Sequence, residues 1–518
     1  MQNKPFSNTN KNIFLINLES QLDRGALLSR YSRTAVLDIR ELFSREFENN
    51  SDRGRDFYKR VFLEYGDESV AELVNIQLAI QNISNVAVKL IEESRIGLSY
   101  LEKSSRYVRY DRKHEGKFLF MDSDALGIGG SIGRDYDEYC KKLFSFYEKN
   151  YEDLLKILRE RYPAESIPGT GNDEELLRKS YDSAIRARSL DDLRFVLPAS
   201  TLTNVGISGN ARAFINLIQK LKSSENGEAE AIAEGLYAEL DPEYHEIIQS
   251  AISRHGSDSI AYRKELNRIS QAKIASSAKE KLLGLTSSLN DREAIDLFLT
   301  NLFYGNEYLY NEINQHVKSM SDTEKIQVIQ EIIDARKNRR DKLPRAAESI
   351  KYSIEANLNY GAFRDLQRHR MLTILRKHLT TKFGYDTPSV ISLDAGKTAE
   401  FNELMHEAHV LFNKISNSDG KIKAQYAVPF AYRHPVMIHG NLRELCYFIE
   451  LRSTPQAHYD LRNLSIKLYE ELRQTQPTMA KLIKFCDTHD YPLGRYSQEY
   501  RKEEKLRDFK GNVESKED

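Results

Sequence analysis

The chain repeats itself, and this limits what it can fold into more than any other property. Arg194-Phe-Val-Leu-Pro198 followed by Gly209-Asn210-Ala-Arg212 returns as Gln425-Tyr-Ala-Val-Pro429 followed by Gly440-Asn441-Leu-Arg443, each landmark 231 residues further on. A second correspondence, Glu72 with Glu348, spans 276 residues, so the first copy carries about 45 additional residues between the two blocks. They fall near residues 110–190, where apolar residues recur three and four apart as on a helix. A duplicated chain of 518 residues resolves into two homologous domains, roughly residues 1–275 and 276–490, with a charged tail at 491–518.

Helical periodicity dominates, as at residues 145–159 and 322–339. Two short stretches differ: residues 73–80 (LVNIQLAI) and 349–356 (SIKYSIEA) alternate apolar and polar side chains, and each runs directly into a helical pattern. The expected class is therefore α+β, helix-rich with an antiparallel sheet in each repeat. The last residues, from about Ser497, are too charged to bury a core and are expected to be mobile. Gly, Ser and Asn break the apolar rhythm at residues 276–292 in the manner of a linker.

Lys and Arg total 76 against 77 Asp and Glu, a net charge of −1, so no global field holds a nucleic-acid backbone and any anion site must be local. The three cysteines, Cys140, Cys446 and Cys486, are too far apart for a zinc or redox pair and suit a reducing compartment. With no signal-like N-terminus and no apolar stretch of about 20 residues, the expected location is the cytoplasm, without membrane or nucleic-acid partners.

The densest cationic group is Arg368-His369-Arg370, able to grip a phosphate or pyrophosphate, although such triplets also arise at solvated helix ends. The first copy reads Glu92-Glu93-Ser94-Arg95 there. Just beyond, the first copy offers Glu102, Ser104 and Arg106, a carboxylate, hydroxyl and guanidinium suited to sugar and phosphate, where the second has replaced all three. The first copy has Arg194 where the second has Gln425; the second has Arg452 where the first has Leu221. Each copy has kept what the other lost. His406 and His409, three apart, lack further ligands, so no metal is assigned. The basic run 336–342 reads as a solvated helix end.

These residues resemble the flavin-dependent thymidylate synthases. The family signature RHRxxSxNExSxRY is similar to Arg368-His369-Arg370 with Thr373 at its start and Glu102, Ser104, Arg106 and Tyr107 at its end, divided between the copies. Asn441, Arg443 and Arg452, continued by Gln456 and His458, resemble the family's C-terminal region; Gly66-Asp67-Glu68-Ser69-Val-Ala-Glu72 resembles its GHxSxxE segment. Asp67 stands where the family has histidine, and Gln456 where histidine is common.

The resemblance implies two such domains in tandem, reductive methylation of dUMP to dTMP with methylenetetrahydrofolate, FAD as cofactor and NADPH as reductant. By the same resemblance, Glu102, Ser104, Arg106, Arg194, Arg368 and Arg452 bind substrate. Arg194 and Arg452 polarise the base, and Ser104 holds the nucleotide rather than attacking it. Arg368, His369, Arg370, Asn441, Arg443, Gln456, Ser69 and Glu72 contact the flavin. Because members are homotetramers with shared sites, a duplicated chain is expected to form a homodimeric pseudo-tetramer. The alternative is a catalytically inactive protein that binds flavin or nucleotide.

Overall fold

Both alternating segments form strands. In the computed structural model, which describes residues 4–50, 52–62, 68–167, 173–270 and 283–514, strands β1 (Asn75–Ser84), β2 (Leu98–Glu102) and β3 (Leu202–Asn210) make an antiparallel sheet ordered β1-β3-β2. Strands β4 (Leu283–Thr286), β5 (Lys351–Asn359), β6 (Thr373–Arg376) and β7 (Arg433–Asn441) make a second, ordered β4-β5-β7-β6. The rest of the described chain is mostly helix, and the α+β class with one antiparallel sheet per repeat is observed. The expected boundary at 275/276 lies outside the described residues.

The Gly-Asn pair that ends the central strand of each sheet has a local cause. A Cβ on Gly209 would lie 2.2 Å from the Gly97 carbonyl oxygen, and one on Gly440 2.8 Å from a Leu372 methyl carbon. The following asparagine turns the chain into a helix by capping it. The Asn210 side chain accepts from the Ala213 N–H at 2.9 Å and starts helix Ala211–Lys222; Asn441 accepts from the Glu444 N–H at 3.0 Å and starts helix Leu442–Arg452. The arginine two residues on is fixed in each copy by the same partner, Arg212 by Glu72 at 2.8 Å and Arg443 by Glu348 at 2.7 Å.

A single residue separates the copies upstream. β1 bulges between Ile80 and Ile83, with Asn82 at a φ of 55°, whereas β5 pairs residue for residue with β7 from Lys351 to Asn359. Past the bulge the correspondence drops by one residue, so Glu93, Ser94 and Arg95 are the counterparts of Arg368, His369 and Arg370.

Contacts divide the chain into two units, Met1–Lys103 with Met121–Ile128 and Ser200–Ser277, and Ser104–Phe120 with Gly129–Ala199 and Ala278–Asp518. The first packs β1–β3 and helix Ala211–Lys222 around Ile76, Val205, Ile207, Phe214 and Leu217. The second takes in the inserted helices Gly130–Arg161 and Glu174–Leu193. The longer one buries Tyr136, Tyr139, Cys140, Leu143, Phe144 and Tyr147 along one stripe. It lies along helix Ala395–Ser418, where the Tyr139 hydroxyl donates to the Leu404 carbonyl at 3.1 Å and Lys142 meets Glu407 at 2.7 Å.

Two expectations are corrected in this unit. The charged tail, expected to be mobile, forms helix Tyr496–Glu514 and packs on helix Glu174–Leu193, because Tyr496 and Tyr500, four apart, share one buried face and Arg507 reaches Asp173 at 2.8 Å. The basic run at 336–342 is not wholly solvated. Arg336 is buried, gripping Glu450 through two bonds of 2.9 and 2.6 Å and the Leu482 carbonyl at 2.6 Å.

Within the same unit the repeated block pairs with itself. Ala199 N–H donates to Val428 O and Phe430 N–H to Leu197 O, both at 2.9 Å, about an antiparallel bridge between Pro198 and Pro429. Each bond is the image of the other under exchange of the copies, the mark of a local two-fold relation between the paired segments.

Replacing either cap, Asn210→Ala or Asn441→Ala, is expected to cost about 1 kcal/mol. Urea unfolding followed by circular dichroism should show a similar loss for both, since the two asparagines do the same work in their own repeats.

Candidate functional site

The chemistry-bearing residues of the second unit gather under helix Tyr360–Leu366. Asn359 caps that helix by accepting from the Ala362 N–H at 2.9 Å, and Tyr360 and Gly361 N–H groups donate to the Tyr432 and Phe430 carbonyls, tying it to the start of β7. Its last turn carries Arg364 and Asp365, both buried. Helix Glu174–Leu193 ends at Arg194, and the self-pairing that begins one residue later holds this arginine in the interior, 2% exposed.

Asp365 is the centre of the cluster. Arg194 approaches its Oδ2 at 3.4–3.5 Å, long for a charge-assisted bond, and the Arg194 Nε–H has no hydrogen-bond partner among the described residues. Gly361 packs beside that nitrogen, since a Cβ there would stand 3.4 Å from it. Arg368 lies 3.7 Å from the other carboxylate oxygen, its side chain 45% exposed. Burial works against the Asp365 carboxylate, yet Arg194, Arg106, Arg368 and Arg452 together hold its pKa far below the ordinary range. Burial instead lowers the pKa of Arg194 and Arg452, whose positive charges are only partly offset by Asp365.

Arg452, in the last turn of helix Leu442–Arg452, donates through Nε to His369 Nε2 at 2.8 Å and through Nη2 to the Asp365 carbonyl at 2.9 Å. A guanidinium can only donate, so His369 Nε2 is an acceptor and the ring proton sits on Nδ1, facing Glu444 Oε1 at 3.3 Å. Burial, aided by Arg452, lowers the His369 pKa against the pull of Glu444, in keeping with a neutral ring.

A second histidine is held in the opposite tautomer. Asp460 N–H donates to His458 Nδ1 at 3.3 Å, which leaves the proton on Nε2, and that N–H has no partner among the described residues. The ring stacks on Phe195 with centroids 6.1 Å apart. Burial and then Arg194 push its pKa well below the usual histidine value. Asp460 is raised to about 7 by burial, with the Asp386 charge adding to it, despite the bond it accepts from Asn359 at 2.6 Å.

The residues expected from sequence fall into three groups. Arg106, Arg194, Arg368, His369, Arg452 and Gln456 share this unit. Arg106 is gripped by Asp191 through bonds of 2.7 and 2.9 Å and touches the Gln456 carbonyl at 3.4 Å. Ser104 stands beside it, its hydroxyl accepting from the Arg106 N–H at 3.3 Å, and Arg370 is exposed at the helix end. Asn441 and Arg443 also lie in this unit, engaged as helix cap and as partner of Glu348. Glu102, Ser69 and Glu72 belong to the other unit. There Glu102 accepts from the buried Lys89 at 2.9 Å, Lys89 also bonds Glu92 at 2.5 Å, and Glu72 is paired with Arg212. Gly66 and Asp67 lie outside the described residues.

Asp191, Asp365, Arg364 and His458 were not singled out from sequence as site residues. Arg364 donates to the Ser105 hydroxyl at 2.9 Å and lies over the Phe430 ring. A lone acid three positions before Arg368 in a basic run was the available signal for Asp365.

The repeat agrees with what the chain is similar to. The family model "Thymidylate synthase complementing protein" matches residues 26–243 and 284–478, one span per repeat, and the chain belongs to that family. A UPF0159 protein of Thermoplasma acidophilum, Ta1429, is 48% identical over 493 residues, covering 93% of this chain and 98% of that one. A UPF0159 protein of Chlamydia muridarum is 32% identical over 523 residues, 96% of each chain. The flavin dependent thymidylate synthase ThyX from Helicobacter pylori, solved in complex with FAD and dUMP, aligns with 39% of this chain and 98% of its own at 16% identity, with a TM-score of 0.29.

The Asp460 carboxyl gives the site a pH signature. A folded-state pKa raised above the unfolded value means the folded chain binds this proton more tightly, so its contribution is present below about pH 4 and is lost as pH rises toward 7. Asp460→Asn should therefore raise thermal stability at pH 8, by about 1–2 kcal/mol given the partial exposure of the side chain, and make no difference at pH 4. Thermal melts of both proteins across this range measure the effect.

Proposed function

We propose that this chain is a FAD-dependent thymidylate synthase, converting dUMP to dTMP by reductive methylation from methylenetetrahydrofolate, with NADPH recharging the flavin. The observation that carries this reading is Arg194, a buried guanidinium held loosely by Asp365, with its Nε–H unpartnered among the described residues. Four arginines act on one carboxylate here, so the cluster suits an anion, and its residues come from both repeats: Arg106 and Arg194 from the first, Asp365, Arg368, His369 and Arg452 from the second. Family membership and the divided sequence signature support the same conclusion.

The positions that correspond to Arg194, Asp365 and Arg452 under exchange of the repeats are Gln425, Leu90 and Leu221. Gln425 satisfies itself on backbone, accepting from the Leu379 N–H at 2.9 Å, and Leu221 is fully buried in the first unit's core. Among the described residues the cationic arrangement therefore occurs once, in keeping with one working site in place of two.

In this reading Arg194 and the His458 Nε2–H supply donors for the nucleotide. Arg452, oriented by His369, supports negative charge developing on uracil oxygens. Arg106 is already committed to Asp191, so it positions the loop of Ser104 and contributes field rather than a free bond. The donor set at the helix end, Arg368 with an exposed guanidinium and Arg370 beyond it, suits the pyrophosphate of FAD. FAD bound there would supply the hydride that completes the new methyl group. The second reading is a catalytically inactive flavin- or nucleotide-binding protein: Asp191 and Asp365 already neutralise part of the arginine charge, which weakens the support available to charge developing on the base.

The purified protein should be yellow, and its reduced flavin should be oxidised by dUMP plus methylenetetrahydrofolate with formation of dTMP. Arg194→Gln is expected to lower kcat/KM at least 100-fold, equivalent to about 2.7 kcal/mol. Product formation by liquid chromatography decides between the readings: dUMP binding without turnover supports the second, and neither binding nor turnover sinks both.

A further inference from the structure

The second unit contains a cavity of about 240 Å³ whose walls include Arg188, Asp191, Tyr459, Arg462, Tyr491 and Arg495. One wall is the turn at residues 490–495, which lies beyond residue 478, where the family match ends. This wall therefore lies outside the matched span, directly before the C-terminal helix Tyr496–Glu514.

Arg495 is the group without an occupation. Its side chain is 8% exposed, and neither Nε nor Nη1 has a hydrogen-bond partner among the described residues. Its Nη2 stands 3.8 Å from Asp191, outside hydrogen-bond distance, while Asp191 is already held bidentately by Arg106 at 2.7 and 2.9 Å. The guanidinium rests 4.8 Å above the Tyr107 ring, which fixes its plane without offering it an acceptor.

Two more cations face the same space. Arg462 is locked by the backbone carbonyls of Ser453 at 2.8 Å, Asp487 at 2.9 Å and His489, with the nearest carboxylate oxygen, on Asp487, 3.8 Å away. Arg188 lies 4.2 Å over the Tyr459 ring and 3.5 Å from Asp192, which also accepts from the Tyr459 hydroxyl. Against these three guanidinium groups the lining holds two carboxylates, Asp191, spoken for by Arg106, and Asp490, which accepts from the Tyr491 N–H at 2.9 Å.

We propose that this cavity binds a phosphate-sized dianion, either inorganic phosphate or the phosphate of a small phosphomonoester, with Arg495 as the principal donor and Arg188 and Arg462 as fixed neighbouring charges. Tetrahedral oxyanions suit it because a buried guanidinium with unpartnered N–H donors can give charge-assisted bonds to phosphate oxygens. The proposal does not depend on the chain being a thymidylate synthase, since none of these residues except Asp191 enters that site.

The test is thermal stability and isothermal titration of the full chain with inorganic phosphate and, separately, with ribose 5-phosphate, using sulfate-free buffer. Saturable binding of at least one is expected. Tighter binding of ribose 5-phosphate identifies a phosphomonoester, and equal or tighter binding of phosphate identifies the free ion. Arg495→Gln should weaken binding at least 10-fold, whereas Arg194→Gln should retain it. Should Arg495→Gln fail to fold, Ala457→Phe, which narrows the cavity while keeping all three arginines, should weaken binding likewise. No saturable binding by either probe overturns the proposal. So does binding lost in Arg194→Gln, which would place the anion in the Asp365 cluster, or binding unchanged in either cavity variant.

Discussion

The pairing of residues 195–199 with 428–431 is the constraint on which the site depends. Its two reciprocal backbone bonds contribute about 1 kcal/mol each, a small part of any fold's stability. Their importance is positional. Leu197, Val428 and Phe430 are fully buried, so the clasp cannot slide without exposing them, and it begins one residue after Arg194. Fixing that segment fixes where a guanidinium enters the interior. The same clasp supplies Phe430, whose carbonyl holds the start of the helix that carries Asp365. Anion and cation are thus brought to within 3.5 Å by one stretch of paired backbone.

A cluster of this kind is costly, which explains why it occurs once among the described residues. Burying a guanidinium without close partners removes hydration that long contacts to a shared carboxylate only partly restore. The exchange-related positions hold Gln425, Leu90 and Leu221, a neutral amide and two hydrocarbons, which carry no such penalty. What both repeats retain is the inexpensive frame: Gly-Asn at the end of the central strand, and an exposed or half-exposed ion pair beside it. The elements kept in duplicate are those that shape backbone. The elements kept singly are those that concentrate charge.

This distinction also governs how much could be read from sequence. The duplication, both strand–helix units and the inserted helices were legible because periodicity and spacing are one-dimensional properties. Arg368, His369, Arg194 and Arg452 were legible through comparison of the two copies. Asp365 and Asp191 were not, because an acid among basic residues looks the same whether it is solvated or buried, and only tertiary packing decides. Arg336 was misread for that reason: its partner Glu450 lies more than a hundred residues away. In the tail, the high charge hid Tyr496 and Tyr500, whose four-residue spacing marked a helix face seeking a neighbour.

The contrast between Arg106 and Arg194 shows how the fold satisfies one arginine and holds another loosely within one cluster. Arg106 has two short bonds to Asp191, and its charge is strongly favoured because that carboxylate overcomes the effect of burial. Arg194 has long contacts, an unpartnered N–H among the described residues, and a charge that burial disfavours. A fully satisfied arginine gains little from an arriving anion, because it must first give up a carboxylate. A loosely satisfied one gains most of a charge-assisted bond. The chain therefore secures its loop with the first, and under the proposed function the second is the one with binding energy to give. His458 follows the same logic with a neutral group: its Nδ1 is held by the start of a helix, its ring is stacked, and only its Nε2–H is left to give.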